Sequence, residues 1–483
     1  DVTIDKNITL DLGGKTLTNT GAGKATITIA KDATATVKNG TVKGGTSYYN
    51  IQNNGTATFE GLTATAGNTG SSMIDNWGTL TIESGTYTGG LNVVKSEEDS
   101  TLVINGGTFT LDYATSGYTG VILVYGDTTI TGGEFIQSLT TTGRWNHPQV
   151  IATGVVEGHP AITRVTGGMF TNKMSGEGIF RGIGKATSDN FEVSGGTFNK
   201  SISDAYCADG FIPTKNADGT YGVKEGKYVA TTGKNNFETL EKAVSLVAKN
   251  GKITLLADVD ANIEIGSTKN FTLDLNGHTI NGGTVKDKAT ITNYGTVTIT
   301  DSSAAQNGTI KRDDNGTVGE TSYYVIRNIG TMTIEQANVT NNSGYKKTNP
   351  SGSMVGSSLI CNGDDDLGGT LNISGGKFEQ KNFIAIKNGA LGKLNVTGGT
   401  ISSDHSAIQN WFEATITGGE INGQLWTDAY IKDESVGHTT IGGSAKYTGE
   451  IVMDIYGSVK PELEISGGDL NVTNWRITTA AAK

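Results

Sequence analysis

Leu102-Val-Ile-Asn-Gly-Gly-Thr-Phe109 decides the fold, because its pattern returns along the chain. Apolar residues alternate, a Ser, Thr or Asn introduces Gly-Gly, and one residue later an aromatic or aliphatic side chain follows. The pattern recurs as Thr129-Ile-Thr-Gly-Gly-Glu-Phe135, Val165-Thr-Gly-Gly-Met-Phe170 and Val193-Ser-Gly-Gly-Thr-Phe198. It returns as Ile373-Ser-Gly-Gly-Lys-Phe378, Val396-Thr-Gly-Gly-Thr-Ile401, Ile416-Thr-Gly-Gly-Glu-Ile421 and Ile465-Ser-Gly-Gly-Asp-Leu470. Most intervals are 20 to 28 residues. That period, with about three short strands in each, fits one coil of a parallel β-helix; a propeller blade would need ~40 residues. Inward positions of successive coils stack Ile, Val, Leu and Phe, and outward ones hold Thr, Glu, Asn and Lys. Gly-Gly falls where the chain turns sharply, and a positive φ there is cheap only for glycine.

A second motif, Asn-x-Gly-Thr followed by alternating apolar residues and Thr, covers Asn53–Phe59, Asn76–Ile82, Asn293–Ile299 and Asn328–Ile334. There is also a larger duplication. Ile8-Thr-Leu-Asp-Leu matches Phe271-Thr-Leu-Asp-Leu, and Thr46-Ser-Tyr-Tyr matches Thr321-Ser-Tyr-Tyr. The expected architecture is all-β: two tandem right-handed parallel β-helices over 1–224 and 225–483. About 20 coils at the ~4.8 Å interstrand rise would form a rigid rod approaching ~100 Å. Asn236 through Asn250 carries Phe237, Leu240, Val244 and Val247 on one stripe. It predicts a helix over 236–250, with Asn236 as N-cap, covering the open end of the second stack. Residues 205–224, with Asp218-Gly-Thr-Tyr221 as the turn, predict a hairpin that terminates the first lobe. The first lobe has no matching helix before Asp1, so the native protein is expected to begin earlier.

Composition narrows the function. Of 483 residues 70 are Gly, threonine is as common, only 5 are Pro, and 18% are charged. That profile excludes a coiled coil or a collagen. The net charge of −11, without clustered Lys and Arg, argues against nucleic acid. No apolar run is long enough to insert in a membrane. Cys207 and Cys361 lie far apart, the five histidines are scattered, and no zinc spacing appears, so no cofactor and no metal are expected. Asp364-Asp-Asp366 is the one stretch suggesting calcium, and it reads better as a solvated turn.

The stacked strands resemble the right-handed, pectin-lyase-like β-helix superfamily. The Gly-Gly-x-Phe coils, Tyr206-Cys-Ala-Asp-Gly-Phe211, the Asp-Gly-Thr-Tyr turn and the Phe237-Glu-Thr-Leu-Glu-Lys-Ala243 segment together are similar to tandem modules in large surface proteins of Gram-positive gut bacteria. The resemblance implies an extracellular protein, wall-associated or shed, with this chain a monomer within a larger whole. It does not transmit an activity, since the superfamily hosts lyases, hydrolases, adhesins and inert spacers.

No enzyme signature emerges. The superfamily's polygalacturonase motifs are missing apart from His278 in Asn-Gly-His-Thr. Recognition has better material. The glycine interval widens to 35 between 132 and 167, and the excess carries Arg144, Trp145 and His147. A second insertion presents Tyr345, Lys346 and Lys347, and the last coils hold Trp411, Phe412 and Trp426. Aromatic and Arg side chains anchor interfaces, and sugars stack on such rings. The expectation is a non-enzymatic, adhesin-like surface module. Its partner would be a host extracellular protein (mucin, immunoglobulin or matrix) or a glycan. A stalk, or a polysaccharide lyase or hydrolase, is the alternative.

Overall fold

The computed structural model describes residues 1–21, 23–113, 119–140, 148–313, 323–341, 358–381, 383–430 and 435–480. It is all-β, a parallel β-solenoid of about 17 turns. The chain divides into two compact units, Asp1–Lys227 and Tyr228–Lys483.

In the first unit, one wall is an eight-stranded parallel sheet running from Val2–Ile4 to Phe180–Gly184. Ile27, Ile51, Ile74, Val94, Ile122 and Ile151 lie in register across it, all fully buried. Another wall carries Tyr87, which follows Ser84-Gly85, and the rings that follow Gly-Gly. Tyr87, Phe109, Phe135, Phe170 and Phe198 stack with centroids 4.8–5.3 Å apart. The spacing matches the strand spacing, so each coil from Tyr87 onward adds one ring to a continuous column, whereas the coils before it carry Leu17, Val42 and Ala64 at this place.

The two glycines of each pair do different work. The second holds a positive φ, +101° at Gly133 and +102° at Gly196. The first, in every pair of the repeated pattern before Gly467, is forced by close approach: a Cβ on Gly167 would stand 2.1 Å from the carbonyl oxygen of Thr131 one coil away. The sequence reading attributed both to φ alone, and for the first that is corrected.

Asn-x-Gly-Thr has a packing explanation too. Its Asn ends a strand with the side chain turned inward. Asn53 Oδ1 accepts from the Gly55 N–H (3.2 Å), while Nδ2 donates to Asn76 Oδ1 (2.7 Å), and Asn76 donates to Ser96 Oγ (2.8 Å). In the second unit this ladder is longer. Asn293, Asn328, Asn362, Asn388 and Asn410 donate one to the next at 2.7–2.8 Å, and Asn410 ends it on Thr439 Oγ1 at 2.9 Å. All five are fully buried. Buried amides are tolerated because each finds partners.

Phe211–Lys215 and Tyr221–Glu225 form an antiparallel hairpin, with Tyr221 paired to Phe198 of the last coil of the first unit. The helix is shorter than 236–250. It spans Leu240–Leu246, its N-cap is Thr239 rather than Asn236, and Asn236–Phe237 pairs as a strand with Ala230–Thr231. Thr239 wins because its Oγ1 accepts from Lys242 N–H (3.3 Å). Phe237, Leu240, Val244 and Val247 are all buried in the core of the second unit. Among the described residues no helix is long and apolar enough to cross a membrane.

Candidate functional site

Residues after or between the ladder asparagines point outward, since neighbours in a strand alternate. In the second unit one row on the side away from the core runs Arg327, Cys361, Lys387, Gln409, Trp426, Val452, Arg476 across successive coils, with Cys361, Gln409 and Val452 themselves buried. Two residues further along the strand, Asp428 and Asp454 are register partners on neighbouring coils. Trp411, which directly follows the ladder residue Asn410, lies beside them.

The hydrogen bonds fix this face. Trp411 Nε1 donates to Asp428 Oδ2 at 2.6 Å, and Gln409 Nε2 donates to the same oxygen at 3.2 Å. Trp426 Nε1 donates to Asp454 Oδ2 at 3.2 Å. Two half-buried indoles are thus each held by a carboxyl. Lys387 Nζ stands 4.8 Å from the centroid of the Trp411 ring, a cation–π distance. Trp411 and Lys387 also line a cleft of about 260 Å³ with Tyr324, Cys361 and Asp364.

Burial pushes the Asp428 carboxyl up to about 6, and the neighbouring charge of Asp454 adds to the effect. Asp454 is raised for the same first reason, burial. Burial also disfavours charge on Asp364, but the Arg327 guanidinium and the backbone N–H groups of Leu367 and Asp366 outweigh it and hold that carboxyl below its usual range. Asp364 is therefore occupied as the hinge of its own turn, with Oδ1 accepting from Leu367 N–H at 2.8 Å.

Of the residues singled out from sequence, Trp411 and Trp426 come together on this face. Phe412 adjoins it, with Lys393 Nζ 5.9 Å from its ring centroid. Arg144, Trp145 and His147, and Tyr345, Lys346 and Lys347, lie outside the described residues. Trp475 is in register with Ile451 and Leu425, the inward row, and is not part of this face. Sequence reasoning missed Lys387, Gln409, Asp428 and Asp454. The alternation Trp426-Thr-Asp428 was a usable signal, because it puts an indole and a carboxyl on one side of a strand.

Among the described residues no group of three or more His, Cys, Asp or Glu is placed to hold a metal ion. No protein-family model matches the chain, and no curated protein matches it. Among solved structures, a mutant of the PL6-family alginate lyase AlyGC is similar at 10% identity, over 100% of this chain and 96% of that one, with a TM-score of 0.22. At that score the likeness bears on neither the site nor an activity.

Proposed function

We propose that this chain is a non-enzymatic binding module of an extracellular, surface-displayed bacterial protein, and that it takes a glycan on the outward face of its second unit. The glycan would be a free polysaccharide or the sugar of a host mucosal protein such as mucin. The observation that carries this reading is the pair of indoles, Trp411 and Trp426, each tied through Nε1 to a carboxyl. A ring immobilised by its own N–H loses little freedom on stacking against a sugar, and the carboxyl oxygens beside it accept hydroxyl hydrogen bonds. The adjoining cleft gives the chain of sugars a path along the face.

A second reading, glycoside hydrolysis, is favoured by one feature: Asp428 and Asp454 sit in register on neighbouring coils, and two carboxyls flanking a bond are what such chemistry uses. A glycan array followed by titration of the best ligand separates the two. Binding should fall at least about tenfold in Trp411→Ala and in Trp426→Ala, a loss of about 1.4 kcal/mol or more, with no new reducing ends released. Unchanged affinity in both variants would sink the proposal. Release of reducing ends, abolished by Asp428→Asn, would replace it with the hydrolase.

A further inference from the structure

The first unit carries a related constellation that no part of the second-unit reading uses. Asn76-Trp77, like Asn410-Trp411, places an indole directly after a ladder asparagine. Trp77 Nε1 donates to Asp75 Oδ2 at 2.9 Å, yet Trp77 remains 46% exposed. Its ring is therefore fixed at one edge and open to solvent on the rest. An exposed ring held at one edge presents a fixed apolar surface, with little freedom left to lose when a flat partner stacks on it.

Behind the ring the chemistry is unusual. Asp75 is only 1% exposed; with both acids ionised its Oδ1 meets no hydrogen-bond donor, and the Glu97 carboxyl is within hydrogen-bonding reach of Asp75 when one of the two is protonated. Glu97, itself 5% exposed, lies beside it, and Lys95 pairs with Glu97. Gln52 Nε2 reaches Asp75 Oδ2 at 3.5 Å. Tyr49 stands close enough for Asp75 and Glu97 to disfavour its ionisation, after burial, and Tyr125 lies with its ring centroid 5.9 Å from Lys95 Nζ. Asp75 and Lys95 are register partners on adjacent strands, so these groups occupy neighbouring coils of one outward face. Burial, and then the charge of Glu97, push the Asp75 carboxyl up to about 6. A buried acceptor without a donor is costly unless something supplies one.

We infer that Trp77, with Asp75, Glu97, Lys95, Tyr49 and Tyr125 around it, is a second carbohydrate site, specific for a neutral sugar residue. The indole supplies the stacking platform, and a sugar hydroxyl at the ring edge supplies a donor to the carboxyl pair. Neutral is preferred to acidic on charge grounds. A uronate would bring a third carboxylate to two already side by side, and the cation within reach, Lys95, is engaged with Glu97. The inference extends the stacking chemistry proposed for the second unit but stands on its own residues.

The test uses the intact chain and an array of neutral and uronate-containing glycans, followed by calorimetric titration of the strongest neutral oligosaccharide. Four proteins are compared: wild type, Trp77→Ala, Asp75→Asn, and the double variant Trp411→Ala/Trp426→Ala. Binding of a neutral glycan that survives the double variant and falls tenfold or more in Trp77→Ala is the expected result. Asp75→Asn should weaken the same binding without disturbing the fold, because an amide oxygen still accepts the indole N–H. Trp77 is half exposed, so its truncation leaves the core rows intact, and far-UV circular dichroism checks that. Neutral binding lost in the double variant and untouched in Trp77→Ala overturns this site and leaves the second-unit reading standing. Residual binding confined to uronate-containing glycans overturns the neutral specificity, and with it the inference. An intact chain that binds no neutral glycan overturns the inference outright, and only failure on the acidic glycans as well removes the second-unit reading.

Discussion

The two units solve the same packing problem with different chemistry. Both must fill a coil interior and the corner where one strand gives way to the next. The first unit relies on a column of rings, Tyr87 through Phe198, and its asparagine ladder stops at Ser96 after two amides. The second unit places Ile280, Ile310, Val339, Phe378, Ile401, Ile421, Tyr447 and Leu470 at the position of the ring column, and its two aromatics, Phe378 and Tyr447, are separated by two isoleucines. Its ladder runs through five amides. The comparison teaches that a solenoid needs periodic satisfaction of volume and of hydrogen bonds, and that either can carry more of the burden.

Truncating the middle of the ring column is the largest expected effect. Phe135→Ala removes a fully buried ring with neighbours stacked on both faces, and should destabilise the first unit by about 3–5 kcal/mol. Ile401→Val, at the corresponding place in the second unit, should cost only about 0.5–1.5 kcal/mol. Hydrogen exchange followed by mass spectrometry, peptide by peptide, reads each unit separately. Equal loss of protection in the two variants would show that the column is not special.

The ladder variant comes next and reverses the asymmetry. Asn362 Nδ2 donates to Gly369 O, Asn388 Oδ1 and Lys393 O, and its Oδ1 accepts from Asn328. Asn362→Ala strands these groups in a buried corner, and leaving even one or two unsatisfied costs about 3 kcal/mol. Exchange should accelerate in coils on both sides of 362. At Ser96, the last member of the shorter ladder, Ser96→Ala should cost about 1 kcal/mol. If the two behave alike, the ladder acts as independent contacts rather than a chain.

The repeat, the coil and the hairpin were legible in sequence because each rests on residues close together. Gly-Gly marks a turn within a few positions, and Asp218-Gly-Thr-Tyr221 announces the hairpin by itself. The helix was misjudged at its start because the apolar stripe at Phe237 persists whether that residue is helical or paired with Ala230. The candidate faces were harder to read, since they are assembled between coils. Trp411 reaches Asp428 and Trp426 reaches Asp454 across coils of unequal length, so no fixed spacing reveals the pair. Trp77 was in view as the variable residue of Asn-x-Gly-Thr. What hid its importance was that motif reading discards the variable position.

The smallest expected effect separates a strained carboxyl from a supported one. Asp428 has a folded pKa raised to about 6, so its protonated form is the one the fold prefers. Its contribution to stability is complete below the ordinary aspartate range near 4 and is lost as pH rises through about 6. From 3.8 to about 6, at 1.36 kcal/mol per pKa unit, the penalty at neutral pH is at most about 3 kcal/mol. Asp274 of the same unit has the opposite sign. Burial there is outweighed by Lys252, Ser302 and the backbone N–H of Asn276, its pKa is lowered, and it loses its stabilising contribution as pH falls. Asp428→Asn keeps an acceptor for Trp411 and Gln409 but cannot ionise. Urea unfolding followed by tryptophan fluorescence should find the advantage of Asp428→Asn over wild type largest at pH 7.5 and gone at pH 3, below the unfolded aspartate range. Asp274→Asn should be less stable than wild type at pH 7.5. If Asp428→Asn is instead less stable at pH 7.5, the charged carboxylate is what holds Trp411 and Gln409, and this part of the face is built on an ion rather than on a neutral acid.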